Sequence, residues 1–145
     1  KDSMKLRQAI ALFLLASIGT FAHAAKWATV AGNPEVSVFV DVDSIRRDGD
    51  QVKTWLKWQW NSPQNVPDSY PPKTYLMERQ LQVSDCRKGT LAIAQGVRYS
   101  DKDGVDAVNS YAVDQKHWQF SDVVPETIGE TIVQFACKRP VKRRQ

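Results

Sequence analysis

The sequence predicts an α+β domain: an antiparallel meander sheet of about six strands, with one C-terminal helix packed on one face and tied by a disulfide. Most segments alternate apolar and polar residues or are rich in β-branched and aromatic residues, as strands are. The connections are mostly short turn sequences, which favour antiparallel pairing because parallel strands need longer crossovers. Only the C-terminal segment shows helical periodicity. The predicted strands cover residues 27–30, 36–41, 51–61, 74–85, 91–100 and 107–113.

The first three strands are separated by turn sequences. Residues 32–34, Gly-Asn-Pro, end the first strand. The second strand places its three valines on one face. Residues 41–45 then predict a short helical turn or corner, and residues 47–50, Arg-Asp-Gly-Asp, predict a tight turn into the third strand.

The third strand has two different faces. Residues 62–72, which follow it, hold four prolines and predict an exposed connection with little regular structure. Turns at residues 87–89 and 101–104 separate the last three strands. One face of the third strand carries Val52, Leu56, Trp58 and Trp60, and the other carries Lys53, Trp55, Lys57 and Gln59.

The C-terminal segment predicts the helix. Pro125 and Glu126 suit its first turn, because that turn leaves amide hydrogens unbonded and a carboxylate is favoured near the positive end of the helix dipole. Gly129 disfavours the helix by about 1 kcal/mol relative to alanine, and Pro140 ends it. The predicted apolar stripe consists of Ile128, Ile132, Phe135 and Ala136.

The N-terminal segment predicts export. Lys5 and Arg7 precede a short apolar run over residues 9–16, and residues 22–24, Ala-His-Ala, then form a cleavage site, which is the order of a signal peptide. The run is shorter than the ~20 apolar residues that span a bilayer. The alternative is a hydrophobic helix retained in the fold. We expect a signal peptide over residues 1–24 (with residues 1–3 upstream of its start), one domain over residues 25–137 and a basic tail over residues 138–145.

Export decides how the two cysteines are interpreted. In an oxidising compartment, Cys86 and Cys137 favour a disulfide between the helix and the end of strand 74–85. The alternative, a redox or metal site, lacks a C-x-x-C arrangement, and His117 is the only other soft ligand after cleavage. No cysteine lies at the cleavage junction, so we expect a periplasmic or secreted protein that is not lipid-anchored.

The positive charge is concentrated in the tail. Residues 25–145 carry 17 Lys and Arg against 15 Asp and Glu, and the tail supplies five of the positive charges and none of the negative ones. The remaining domain has a net charge of −3, which argues against a nucleic-acid-binding surface. The tail is a candidate to bind anionic partners, with a solubilising terminus as the alternative. Its candidate residues are Arg139, Lys142, Arg143 and Arg144.

The sequence predicts no enzyme, cofactor or metal site. Nothing in the spacing of His117 favours a catalytic triad, so we expect it to be a surface or packing residue. Residues 101–106, Asp-Lys-Asp-Gly-Val-Asp, resemble the start of a calcium loop, but Ala112 stands where an EF-hand needs glutamate. A solvated hairpin turn is therefore favoured there.

Trp55 is the candidate contact residue of the sheet. We expect Trp58 and Trp60 to lie in the core under the helix. Trp55 shares the opposite face with Lys53 and Lys57, and an exposed tryptophan flanked by lysines suits a binding surface. A neighbouring loop or the partner in a homodimer is the alternative cover for Trp55.

Several features of the sequence occur together in one known family. They are the stretch V-D-x-x-S-I-R-R-D-G over residues 40–49, two cysteines at these relative places, and Trp27, Trp118, Pro125 and Gly129. In these features the chain resembles the surface-adhesin protein E family of bacterial envelope proteins. The similarity runs from Trp27 to Cys137. It implies a six-stranded antiparallel sheet with a C-terminal helix held by a disulfide, and a characterised member that binds host extracellular-matrix and serum proteins. This chain lacks the anchoring cysteine of that lipoprotein.

These observations predict an exported, non-enzymatic binding protein. Its expected partners are host matrix or serum proteins, or anionic glycans, bound through the sheet face and the tail. The alternative is a periplasmic structural or housekeeping envelope protein of the same fold without host binding. We expect no nucleic-acid partner and no membrane span.

Overall fold

A computed structural model describes residues 25–139, which form an antiparallel sheet and one helix, as the sequence predicts. The sheet has eight strands, two more than predicted, because two short strands pair beside the six expected ones. The predicted signal peptide and residues 140–145 lie outside the described residues. Six strands follow one path across the sheet in the order β1-β2-β4-β5-β6-β7, while β3 pairs with β4 and β8 with β6. The elements are β1 (Trp27–Gly32), β2 (Val36–Asp41), β3 (Arg46–Asp48), β4 (Gln51–Asn65), β5 (Thr74–Asp85), β6 (Thr90–Tyr99), β7 (Ala107–Ala112), a 3₁₀ turn (Gln115–His117), β8 (Ser121–Asp122) and α1 (Ile128–Lys138).

Strand β4 is longer than the sequence predicts. It continues to Asn65 and pairs with the start of β5, although the proline-rich segment predicts an irregular connection there. Pro63 is tolerated because the pairing register is interrupted between Gln59 and Gln64, where no ladder hydrogen bond from the proline nitrogen is needed. The predicted turn at residues 47–50 is also shorter, because Arg46–Asp48 form β3.

The helix begins later than the sequence predicts. Thr127 is its N-cap, and Thr127 Oγ1 accepts a hydrogen bond from the backbone amide of Glu130 at 3.4 Å. The carboxylate of Glu130 in turn accepts the amide of Glu126 at 2.8 Å. Glu126 has a φ of 60°, which is not helical, so Pro125 and Glu126 lie before the helix and its first residue is Ile128.

The predicted apolar stripe of the helix is confirmed. Ile132 and Ala136 are fully buried, and Ile128 and Phe135 pack partly buried against the same core. The disulfide is also confirmed: Cys86, directly after β5, is bonded to Cys137 near the end of α1. The core under the helix consists of Val36, Val38, Val40, Ile45, Val52, Leu56, Ile132 and Ala136.

The motif over residues 40–49 forms the corner that joins β2 to β4 and the helix. Ser44 Oγ donates to the carbonyl of Asp41 at 2.7 Å and accepts the amide of Trp55 in β4 at 3.0 Å. The Arg47 guanidinium donates to the carbonyl of Cys137 at 3.0 Å, where the helix leaves carbonyls without intrahelical partners. The motif is therefore explained by structure, since its side chains fix the corner and the end of the helix.

Strand β5 is buried on both sides, whereas β4 is buried mainly on the helix side. Leu56 of β4 lies on the helix side, and its register partner on β5 is the polar Gln80. Met77 and Val83 of β5 point to the opposite side, yet both are fully buried. A loop covers Met77 closely, since a Cβ on Gly104 would lie 2.5 Å from Met77 Cε. The helix thus covers one half of the sheet, and loops cover the other half from the opposite side.

Candidate binding face

The side of the sheet opposite the helix carries interleaved basic and aromatic side chains. Phe39, Lys57 and Arg79 stand directly opposite one another on β2, β4 and β5, and residues in register share a face. We call this surface the basic–aromatic face. It consists of Trp27, Phe39, Lys53, Trp55, Lys57, Arg79, Tyr99 and Trp118.

Lys57 is the centre of this face. Its ammonium lies 4.4 Å from the ring centroid of Phe39 and 5.1 Å from that of Trp27, a geometry worth about 0.5–1 kcal/mol per contact at exposed sites. Partial burial lowers the pKa of Lys57, and the positive charge of Arg79 lowers it further. The aromatic rings therefore hold two cations beside each other against their repulsion.

The other cations of the face also rest on aromatic rings. The ammonium of Lys53 lies 5.3 Å from the ring of Trp118, and the guanidinium of Arg79 lies 5.4 Å from the ring of Tyr99. The indole nitrogen of Trp118 donates to the carbonyl of Val113 at 2.9 Å, which fixes this ring. Both cations are thus oriented by the fold.

Trp55 lies between these cations and is half-buried. The sequence predicts an exposed Trp55 on a side without helix cover, and the structure leaves one part of the ring accessible. It lines a shallow cleft of about 340 Å³ together with Gln95 and Ala112, which lie further along the same cross-strand row. The ring is available for contact at the edge of this cleft.

Sequence reasoning did not identify Arg79. Its position in strand 74–85 gives the correct face, but its place beside Lys57 depends on the register between β4 and β5. The connection between these strands is long, so turn chemistry does not fix that register. Cross-strand pairing is the signal that would have found it.

The described part of the tail lies elsewhere. Arg139 follows the helix, and its guanidinium lies 4.6 Å from the ring of Phe135. Phe135 packs on the helix-side core, so Arg139 is not beside the basic–aromatic face. The other tail candidates, Lys142, Arg143 and Arg144, lie outside the described residues.

The residues weighed for chemistry have structural environments. His117 is exposed on the 3₁₀ turn, with Nδ1 4.0 Å from a carboxylate oxygen of Asp114. The Asp101 carboxylate accepts backbone amides within its own loop, at distances of 2.6 to 3.2 Å. These bonds, the Asp106 amide foremost, lower the pKa of Asp101. Its carboxylate therefore organises the turn that the sequence predicts.

Two further findings concern residues 25–139. Within this range, no group of three or more His, Cys, Asp or Glu side chains is arranged to hold a metal ion. No helix in the same range is long and apolar enough to cross a membrane.

Comparison with known proteins places the chain in a family. The model of the family described as surface-adhesin protein E matches residues 27–138. The chain is similar to two crystal structures of protein E from Haemophilus influenzae, one from a non-typeable strain (17% identity, 77% of this chain and 74% of that chain, TM-score 0.53) and one of crystal form II (17%, 77% and 86%, TM-score 0.54). Among curated protein sequences, none matches. The match over residues 27–138 shows that this chain belongs to the surface-adhesin protein E family.

Proposed function

We propose that this protein is an exported, non-enzymatic adhesin-like protein whose basic–aromatic face binds an acidic region of a macromolecule. The partner class is a host extracellular-matrix or serum protein, or an anionic glycan. Family membership supports the adhesin-like role. The residues proposed to make contact are Trp55, Lys53 and Lys57, joined by Arg79.

The observation that carries this proposal is the pairing of Lys57 with Arg79. The two residues are direct neighbours across β4 and β5, and like charges in that relation destabilise a sheet. Within residues 25–139, neither cation is in an ion pair. The loop at Gly104 lies against part of the Arg79 guanidinium, while both cations remain partly exposed. An anionic group beside the pair would relieve the repulsion, so the face favours an acidic partner.

The aromatic rings add contact area to this charge. Trp55 is half-buried and already held by the sheet, so little side-chain freedom is lost when a partner covers it. Tryptophan and arginine are the residue types enriched among energetically important interface positions.

Export and the tail belong to the same proposal. Residues 1–24 would direct the domain of residues 25–137 out of the cytoplasm. The tail over residues 138–145 would add long-range attraction for an anionic partner, weakened by salt. The described tail residue Arg139 rests on the helix, away from the basic–aromatic face.

The test measures retention on immobilised heparin, an anionic glycan. The variant K53M/K57M keeps unbranched stems over Trp118, Trp27 and Phe39 while removing both charges. The matched control K73M/K88M removes two exposed charges from outside the face. We expect K53M/K57M to elute at clearly lower salt than the wild type, and K73M/K88M to elute near it. If the two variants elute together, the face is not the binding surface.

The alternative function is a periplasmic structural or housekeeping role. Brief protease treatment of intact cells separates the two, because a surface protein is cleaved and a periplasmic one is protected. Protection of a correctly exported chain would contradict host contact.

A further inference from the structure

A second, chemically different site lies on the helix side of the sheet. Helix α1 packs over the core of β2 and β4, and beside it a cleft of about 320 Å³ opens over β5 and β6. Ligand-binding clefts usually measure about 300–1,000 Å³. We call it the helix-side cleft, and the residues used below are Trp58, Trp60, Glu78, Gln80, Gln82 and Gly129.

The floor of the cleft is a row of polar side chains on β5. Glu78, Gln80 and Gln82 are successive helix-side positions, and their exposed fractions are only 5%, 7% and 2%. Gln82 Nε2 donates to Ser84 Oγ at 3.0 Å. In the part of the chain that the structure describes, the Gln80 amide is not among the buried polar atoms that lack a partner. The stem of Gln80 is buried, while its amide lines the cleft and is open to it.

Within residues 25–139, the domain does not use the hydrogen-bonding capacity of this amide. A side-chain amide can donate two hydrogen bonds and accept two. The Gln80 amide is therefore available to a ligand that presents both donors and acceptors.

The wall of the cleft is aromatic. The rings of Trp58 and Trp60 are nearly parallel, with centroids 6.0 Å apart and an angle of 17° between their planes. Tyr75 meets the ring of Trp60 edge-on at 5.2 Å and fixes its orientation. The negative faces of aromatic rings attract C–H groups, which carry a partial positive charge.

The cleft carries almost no net charge. Arg98 Nε lies 3.5 Å from Glu78 Oε1, so the one carboxylate in the floor has a cationic neighbour. Tyr111 donates to the same oxygen at 2.6 Å. Burial, and then the bond to Glu78, raise the pKa of Tyr111, so its phenol keeps this proton. A charged ligand would find no uncompensated countercharge here.

We propose that the helix-side cleft binds a neutral saccharide. A sugar ring presents hydroxyl groups, each a donor and an acceptor, to Gln80 and the free capacity of Glu78 and Gln82, while its C–H face lies on Trp58 and Trp60. The cleft is at the small end of the ligand-binding range, which suits a short unit of a glycan. This site is separate from the basic–aromatic face and does not depend on its function.

The test uses three neutral trisaccharides as probes: maltotriose, cellotriose and N,N′,N″-triacetylchitotriose. Nitrogen–proton correlation spectra resolve each indole separately. We expect at least one probe to shift the indole signals of Trp58 and Trp60, while the signals of Trp27, Trp55 and Trp118 stay in place. No shift with any probe at about 10 mM, a concentration that corresponds to a binding free energy of about 2.7 kcal/mol, would overturn the proposal. So would shifts confined to the other three indoles.

Two variants make the assignment specific. Q80L removes this amide at nearly constant volume, and we expect it to weaken binding of the shifting trisaccharide at least about tenfold. Its urea midpoint should equal or exceed that of the wild type, because no internal hydrogen bond is lost. The control Q95L makes the same change on the opposite side of the sheet and should bind like the wild type. Equal affinities of Q80L and Q95L would refute the role of Gln80.

A neutral pentapeptide tests the class of ligand. If it shifts the indole signals of Trp58 and Trp60 and no trisaccharide does, the saccharide assignment is wrong.

Discussion

Removal of the disulfide should cost this domain a large part of its stability. Cys86 and Cys137 are 51 positions apart, and closing a loop of that length contributes about 4 kcal/mol by the chain-entropy estimate. Domains of this kind have total stabilities of about 5–15 kcal/mol. The variant C86A/C137A should therefore fold, but with a much smaller margin.

The structure indicates which part weakens first. The bond holds the C-terminal end of α1 against the end of β5, and near it Arg47 contributes only one hydrogen bond to the carbonyl of Cys137. When the bond is absent, the helix can leave the sheet and expose Ile132 and Ala136, which are both fully buried in the native domain. The sheet keeps its own backbone ladder in that state.

Urea unfolding followed by tryptophan fluorescence and circular dichroism measures the loss. With an m value of about 1.5 kcal/mol/M, a loss of about 4 kcal/mol in the free energy of unfolding lowers the urea midpoint by about 2.7 M. The reduced wild type lacks the disulfide but keeps both cysteine side chains, so it controls for the replacement of those side chains. Its urea midpoint should match that of C86A/C137A. A loss below about 1 kcal/mol in both samples would refute the reasoning, because the bond would then not restrict the unfolded chain as assumed.

Two further predictions concern single side chains. In G96A the new Cβ would lie 2.6 Å from Tyr111 Oη, so the ring must move away from Glu78, at a cost of about 1–3 kcal/mol in urea unfolding. In a Tyr111→Ala background the same change should cost far less, and an equal cost in both backgrounds would exclude this overlap as the cause. Backbone amides, the Asp106 amide foremost, lower the pKa of Asp101 in the folded domain. The ionised carboxylate therefore stabilises the fold fully at pH values above the pKa of the unfolded chain, about 3.9. This stabilisation is lost as the pH falls through the lower pKa of the folded domain. D101N should therefore have a lower Tm than the wild type at neutral pH, and a gap that does not narrow below about pH 4 would contradict this assignment.

The six main strands were predictable because most of them alternate regularly, whereas the short strands β3 and β8 and the end of β4 were not predicted. The valines of β2 and the residues of β5 match the predicted boundaries, since period-two patterning reports directly on which side of a strand is buried. The helix stripe was predictable for the same reason. Its start was not predicted, because Pro125 and Glu126 also fit a first turn. The Thr-x-x-Glu pattern of Thr127, which caps the Glu130 amide, is the sequence signal for the observed start.

The burial of both sides of β5 could not be predicted from single strands. Alternation in β5 shows correctly that Met77 and Val83 are inside and that Gln80 shares a face with other polar residues. It does not show that this polar face lies beside the apolar face of β4, because that depends on the β4–β5 register. Both candidate sites follow from this register, which explains why Arg79 and Gln80 were missed.

The uncovered half of the helix side follows from the dimensions of the fold. One helix is about 10 Å wide, whereas six strands at about 4.8 Å spacing extend over roughly 24 Å. One helix therefore leaves part of this sheet side to be filled by side chains, loops or ligands. In this protein the remainder is floored by amides and walled by tryptophans, while loops bury the reverse side of the same strands. Adjacent residues of β4 then serve different surfaces: Lys57 faces the basic–aromatic face and Trp58 lines the helix-side cleft. A substitution that weakens heparin retention should for this reason leave trisaccharide binding intact, and the reverse should also hold, because the two sites share a backbone but no side chain.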